Sequence, residues 1–247
     1  MGQDIARALD PSLIAHDAGI TPDPWQEDLM RSDADRALLL CGRQTGKTTT
    51  ASFIALSTAI YKKPGALILV VSPSQRQSGE IFRTIMMHHS RLKGVPELRA
   101  ESALRAELAN GSRILALPGT ERTIRGYAAA DLILVDEAAR CEDDLLQAVR
   151  PMLATSNGRL IALTTPAGKR GWFYEAWIGE GNWHRVKVPA SECPRITPEF
   201  LAEERAEMGA MRFSEEYELQ FVDDDTQAFP TEIISNAFTG NVRPLWH

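Results

Sequence analysis

No run of eighteen apolar residues occurs in this sequence, so nothing in it reads as a membrane span. The opening stretch, MGQDIARALDPSL, lacks the basic start and apolar centre of a secretory signal. Ala6 stands where an N-myristoylation signal carries Ser or Thr, which argues against that anchor. Cysteine is scarce: Cys41, Cys141 and Cys193 are far apart and odd in number. They fit neither a disulfide framework nor a zinc site, and a reducing cytoplasm is the expected compartment. Internal repeats are lacking, and low complexity is confined to Asp223-Asp224-Asp225. There is also no reading helix or base-stacking aromatic set of the kind that base-specific nucleic-acid binding needs.

What remains is an ordinary globular composition. The 247 residues, 44% hydrophobic and 24% charged, suit one large α/β domain with a small appended subdomain. The net charge of −6 reads at first against a nucleic-acid partner. Its distribution is uneven, however. Arg36 to Arg125 holds fourteen Lys/Arg against five Asp/Glu, whereas Glu199 to Asp225 holds two against ten. A basic half joined to an acidic end is hidden by the total.

Residues 37–41, 66–71, 132–135 and 160–163 are short, wholly apolar runs, the pattern of parallel strands buried on both faces. Helical patterns alternate with them over 47–62, 74–91 and 143–150, the last expected to end before Pro151. This alternation predicts a mostly parallel, doubly wound sheet. In 98–119, Asn110-Gly111-Ser112 between two alternating segments predicts an antiparallel hairpin. Residues 182–190 read as a further strand at an edge. Thr197, Pro198 and Gly209 supply the cap, first turn and terminator of a helix. A second helix is expected through 211–221, so an acidic helical subdomain follows the sheet.

The stretch LLLCGRQTGKTTTASF, 38–53, runs an apolar strand into a glycine turn and then a helix. A phosphate loop needs inward backbone N–H groups, a lysine for the β- and γ-phosphates and a hydroxyl for magnesium. Gly46, Lys47 and Thr48 supply these at a helix N-terminus, where the dipole favours anions. The loop departs from the usual spacing, with three residues between Gly42 and Gly46 and Cys41 where the first glycine should be. The expected nucleotide-contacting set is Trp25, Gln26, Gly42, Arg43, Gln44, Thr45, Gly46, Lys47, Thr48 and Thr49. In DLILVDEAAR, 131–140, the apolar strand ends in Asp136-Glu137. An aspartate there holds magnesium together with Thr48, and the adjacent glutamate polarises the attacking water. Gln26 is either an adenine reader, its amide pairing with N6 and N7, or an exposed polar residue at a helix start. Thr164 and Thr165 either sense the γ-phosphate or simply end a strand before a turn.

These pieces, in this order, resemble the ATPase half of the large terminase subunit of tailed bacteriophages, the motor that pumps DNA into a procapsid. The matching segments are PWQ at 24–26, GRQTGKT at 42–48, SPSQRQS at 72–78 and NGSRILALPG at 110–119. They continue with TIRGY at 123–127, LILVDEAA at 132–139, TTPAGKRGWFYEAW at 164–177 and RFSEEYELQFVDD at 212–224. The short-spaced loop looks like that family's own form. The resemblance implies a P-loop NTPase of the ASCE type using ATP and Mg2+. Lys47 and Thr48 would hold phosphates and magnesium, Asp136 magnesium, and Glu137 would be the catalytic base. Gln26 would read adenine, Thr164 and Thr165 would couple hydrolysis to movement, and Arg43 would sense the γ-phosphate. Arg105 and Arg125 are candidates for an arginine finger donated to a neighbouring subunit. The implied partners are double-stranded DNA, other copies in a ring, a portal protein and a small terminase subunit, in the cytoplasm of an infected or lysogenic bacterial host. The expected division is an ATPase core over 1–190, a helical lid over 191–225 and a linker over 226–247. The nuclease domain of a full large terminase would follow that linker and is not expected here, nor is DNA cleavage.

Two other functions fit parts of the pattern. An ATP-gated binding or assembly module would use the same site with little turnover. A superfamily 2 helicase shares the phosphate loop and the DEAA strand but needs a second RecA-like domain, for which the residues after 190 are too few. The basic 36–125 segment would bind DNA through phosphates, without sequence readout.

Overall fold

The computed structural model describes residues 2–127 and 129–223, with the side chain of residue 121 excepted. The proposed linker at 226–247 and the last two residues of the proposed lid lie outside them. Three short helices, α1 (Gly2–Leu9), α2 (Leu13–Asp17) and α3 (Pro24–Arg31), precede β1 (Arg36–Cys41) and α4 (Lys47–Ser57). Then come β2 (Leu67–Ser72), α5 (Gln75–Arg91), β3 (Leu98–Ser102), β4 (Arg105–Leu108), β5 (Arg113–Pro118), α6 (Glu121–Ile124) and β6 (Leu132–Asp136). The chain continues through α7 (Asp144–Ser156), β7 (Arg159–Thr164), α8 (Gly171–Ile178), β8 (His184–Val188), α9 (Pro198–Met208) and α10 (Ala210–Glu216).

All eight strands form one sheet in the order β3-β4-β5-β2-β6-β7-β1-β8. Strands β5 to β8 and their neighbours β1 and β2 run parallel, and β3 and β4 are antiparallel additions. The inner parallel strands β1, β2, β6 and β7 are almost wholly apolar because both faces are covered, whereas the parallel edge strand β8 carries His184, Arg185 and Lys187. Along β1, Ala37, Leu39 and Cys41 enter the core under α3, α4 and α5, while Leu38 and Leu40 enter the opposite core under α7 and α8. Period-two alternation thus feeds two apolar layers instead of one layer and water. The doubly wound expectation holds.

The hairpin expectation also holds and is extended. Gly111, at φ +84°, turns β4 into β5 with the Asn110 side chain accepting from the Ser112 N–H. A second turn adds the fully exposed edge strand β3. Strand β8 is the other edge, paired only to β1.

Two helix boundaries differ from expectation. Helix α7 does not stop before Pro151 but carries it inside and runs on to Ser156. The missing proline N–H removes one bond of the ladder. Burial of Met152 and Leu153 against the second core holds the following turn. Helix α10 ends at Glu216, well before Phe221. Helix α9 starts and stops as expected: Thr197 accepts from the Phe200 N–H, and Gly209 sits at φ +83°. Phe213, Tyr217 and Ala190 form a small separate core between α10 and the segment after β8, with Phe200 and Leu201 of α9 packed on it.

This topology places the site. Strands β1, β7 and β6 are consecutive in the sheet, and all three end at the same edge. The glycine turn, Thr164-Thr165 and Asp136-Glu137 are therefore neighbours, the arrangement in which open α/β sheets bind ligands.

Candidate nucleotide site

The loop after β1 is held from below. The Gly42 N–H donates to the Val188 carbonyl at 2.9 Å, and a Cβ at Gly42 would lie 2.9 Å from the Ala190 nitrogen. Only glycine fits there. Thr45 Oγ1 donates to the Gly42 carbonyl at 2.9 Å, closing the loop on itself. Gln44 at φ +59° and Gly46 at φ +95° turn it into α4. Cys41, where a first glycine was expected, is fully buried in the strand end, and burial pushes its thiol up to about 12. It is a core residue.

Lys47 opens α4, and its Nζ lies 2.5 Å from Glu137 Oε1, an ion pair spanning ninety residues of sequence. Both side chains are mostly buried. Glu137 holds a left-handed backbone, φ +50° and ψ +43°, which costs a non-glycine residue free energy. Its other oxygen, Oε2, accepts from Arg140 at 2.7 Å.

Asp136 is the last residue of β6 and buried, and its Oδ1 has no hydrogen-bond partner. Burial raises its carboxyl to about 6, Lys47 pulls it back and Glu137 pushes it up again. A buried carboxylate oxygen without a donor is a position that a cation, or a water on it, would satisfy. Thr48, half-buried in the first turn of α4, offers a hydroxyl. One carboxylate and one hydroxyl suit magnesium, which keeps several waters and takes phosphate oxygens. No cluster of three or more His, Cys, Asp or Glu exists among the described residues. Thr49 is also half-buried, its carbonyl accepting from Ser52.

Thr164 and Thr165 are buried at the end of β7. Thr164 Oγ1 donates to the Thr165 carbonyl at 2.6 Å and accepts from the Ala139 N–H at 3.4 Å. Thr165 Oγ1 accepts from Arg140 at 3.1 Å. The strand end is thereby bonded to the segment that carries Glu137.

Gln26 lies beside the loop, but its amide is occupied. Oε1 accepts from the Asp23 N–H at 2.7 Å and Nε2 donates to the Gly46 carbonyl at 3.3 Å. The side chain is buried. An adenine edge would have to displace one of these bonds; as it stands, Gln26 caps α3 and ties it to the phosphate loop. Trp25 packs against the core.

Arg43 projects from the loop to α10. Its Nε is 2.6 Å from Glu216 Oε2, its Nη2 is 3.2 Å from Oε1, and its backbone N–H donates to the Glu216 carbonyl. Arg105 is not brought to this loop. Arg105 lies in β4, exposed and 3.6 Å from Glu107. Five strand spacings separate β4 from β1, about 24 Å at the usual interval. Arg125 follows α6 and is exposed.

Three side chains at the site have no counterpart in the sequence expectations. Arg140 bonds Glu137. Glu216 receives Arg43. Arg195 grips Asp23 with two bonds, 2.8 and 2.7 Å, and reaches the Thr45 carbonyl at 3.4 Å. Only Arg140 had a local signal, its i,i+3 spacing from Glu137.

The description "Terminase large subunit, T4likevirus-type, N-terminal" matches residues 38–236 of this chain. The chain belongs to the large terminase subunit family. A large terminase subunit of Thermus phage G20c is 25% identical, aligned over 85% of this chain and 51% of its own length. The chain thus spans about half the length of the curated relatives it matches. Among solved structures, the large terminase ATPase domain of Thermus phage P74-26 superposes with a TM-score of 0.72 at 22% identity, covering 84% of this chain and 97% of that one. The large terminase of a thermophilic bacteriophage in complex with ADP gives a TM-score of 0.69 at 14% identity, covering 81% of this chain and 53% of that one. Their likeness establishes the P-loop ASCE-type fold for a terminase chain with an eight-stranded, mostly parallel sheet. Among the described residues no helix is long and apolar enough to cross a membrane.

Proposed function

We infer that this chain is the ATP-hydrolysing motor domain of a phage large terminase, driving double-stranded DNA into a procapsid. The observation that carries it is the convergence of Lys47, Glu137 and Asp136 from two distant segments onto one sheet edge. Lys47 and the loop N–H groups from Gly42 to Thr48 would hold the β- and γ-phosphates. Thr48 and Asp136 would hold Mg2+. When bound, the metal offsets charge on the phosphoryl oxygens.

Lys47 is paired with Glu137, so this contact has to open before either side chain can engage a nucleotide or its attacking water. A triphosphate is the stronger competitor for Lys47, with several anionic oxygens against one carboxylate. Once Lys47 turns to phosphate, Glu137 Oε1 is free to accept a proton from the attacking water. Arg43 would exchange Glu216 for the γ-phosphate, so filling the site would loosen α10 from the loop. Thr164 and Thr165 would carry the change from the catalytic segment to β7, and Gln26 would hold the base-side segment against the loop. Arg105 or Arg125 of one copy would complete the site of the next in a homo-oligomeric ring. The basic 36–125 segment favours DNA through its phosphates. The portal protein, the small subunit and the cytoplasm of the bacterial host follow from the same family reading.

The Lys47–Glu137 pair favours a second reading, an ATP-gated assembly module in which Glu137 stays paired with Lys47 and turnover is low. ATPase rate against protein concentration separates the two. A motor ring predicts a rate per chain that rises with concentration, with Glu137→Gln abolishing turnover while ATP binding persists. An assembly module shows neither the rise nor the loss. Unchanged turnover in Lys47→Ala would refute both.

A further inference from the structure

Glu137 is held from two sides. Lys47 takes Oε1; Arg140 takes Oε2 at 2.7 Å through Nη1. The same Nη1 donates to Thr165 Oγ1 at 3.1 Å, and Nη2 reaches the Pro166 carbonyl at 3.5 Å. An i,i+3 ion pair alone would be unremarkable, since most such surface pairs contribute little. Two features set this one apart. The acceptor is a largely buried carboxylate at the site, and the remaining bonds cross twenty-five residues of sequence to the end of β7.

The two cations on Glu137 are not equivalent. A nucleotide competes for Lys47, which sits in the phosphate loop, but Arg140 lies on the far side of the carboxylate, next to β7. When Lys47 leaves, Arg140 is the side chain that still fixes Oε2, and with it the direction in which Oε1 points. A guanidinium suits this task because its planar fork bonds two elements at once in fixed geometry, which a lysine ammonium does not. Resting on the reading of Glu137 as the water-activating base, we propose that Arg140 is a positioning residue that aims Glu137 and joins it to Thr165 at the end of β7.

Displacement of a catalytic group by about 1 Å costs on the order of 100-fold in rate. Arg140→Gln should therefore lower kcat roughly 10–100-fold while ATP affinity, read with a fluorescent ATP analogue, stays within about threefold. Affinity for ADP–aluminium fluoride, a mimic of the transferring phosphoryl group, should fall by a factor similar to kcat. That measurement does not require the chain to turn over quickly. Arg140→Lys should recover only part of the loss. Added guanidinium ion should restore turnover to Arg140→Ala but not to Glu137→Gln. Thr165→Val should add little to Arg140→Gln, because its partner is already gone.

The proposal is overturned if Arg140→Gln keeps the kcat and the ADP–aluminium fluoride affinity of the unmodified chain while Glu137→Gln loses both. It is equally overturned if ATP affinity and thermal stability fall in step with kcat, the pattern of a merely structural contact. If Glu137→Gln itself retains turnover and ADP–aluminium fluoride affinity, the reading of Glu137 fails and takes this proposal with it.

Discussion

The Arg43–Glu216 pair offers a measurable test of how the phosphate loop is tied to α10. Glu216 is buried, its side chain 7% exposed; its Oε2 lies 2.6 Å from Arg43 Nε, and its Oε1 accepts from Arg43 Nη2 and Arg212 Nε, each at 3.2 Å. Removing one partner of a fully buried pair costs about 3–5 kcal/mol, because the other charge is stranded. Two facts reduce that figure here. The Arg43 side chain is 54% exposed, so water screens the pair, and Arg212 remains beside the carboxylate. A cost of about 1–2 kcal/mol is then expected for Arg43→Ala. For a chain of this size that is a fall of roughly 2–8 °C in Tm. Glu216→Gln keeps an amide near both arginines but removes the buried charge, so Arg43→Ala should cost little in that background. Urea denaturation of the unmodified chain, both single variants and the double variant closes the cycle, and the coupling energy should be about 1 kcal/mol or more. Additive effects within about 0.3 kcal/mol would refute the idea that the loop arginine is latched to α10.

Two further outcomes concern pH and charge. Burial raises Asp136 to about 6, so in the nucleotide-free chain its ionised form above that pH opposes folding; the stability it contributes at low pH is lost as pH rises through about 6. Asp136→Asn should therefore unfold at higher urea than the unmodified chain at pH 8, by on the order of 1–3 kcal/mol, while losing Mg2+-dependent nucleotide affinity; no gain at pH 8 would contradict it. His88 stacks on Phe53 at 4.4 Å and its Nδ1 meets Ser52 at 2.7 Å; burial, aided by Arg91, lowers its titration below the ordinary 6.5. The unfolded chain then binds the proton more readily, so stability should fall as pH drops below about 6.5, and His88→Asn should show a flatter urea midpoint between pH 7.5 and 5.5.

The sheet was legible in the sequence because its inner parallel strands β1, β2, β6 and β7 each carry an unbroken apolar run that no solvated strand could carry. The candidate site edge was legible because Lys47 follows a strand and a glycine, and Asp136-Glu137 ends another. Pro151 misled because helix termination by proline is a local rule, and the burial of Met152 and Leu153 is not local. The spacing Asp23-x-x-Gln26 is itself a capping-box signature, and the structure uses Gln26 in that way. Arg195 and Glu216 were invisible for a different reason. Their partners, Asp23 and Arg43, lie more than 170 residues away, and nothing short of the tertiary fold pairs them.

The left-handed backbone at Glu137 has a consequence for the chain as a folded object. Any side chain there retains the steric cost of that conformation except glycine, which adopts it freely. Removal of the carboxylate altogether, as glycine, would relax the end of β6 and free Lys47 from its partner at once. The chain thus keeps an acid at that bend in spite of the backbone's preference, so stability and the proposed catalytic role pull on this residue in opposite directions.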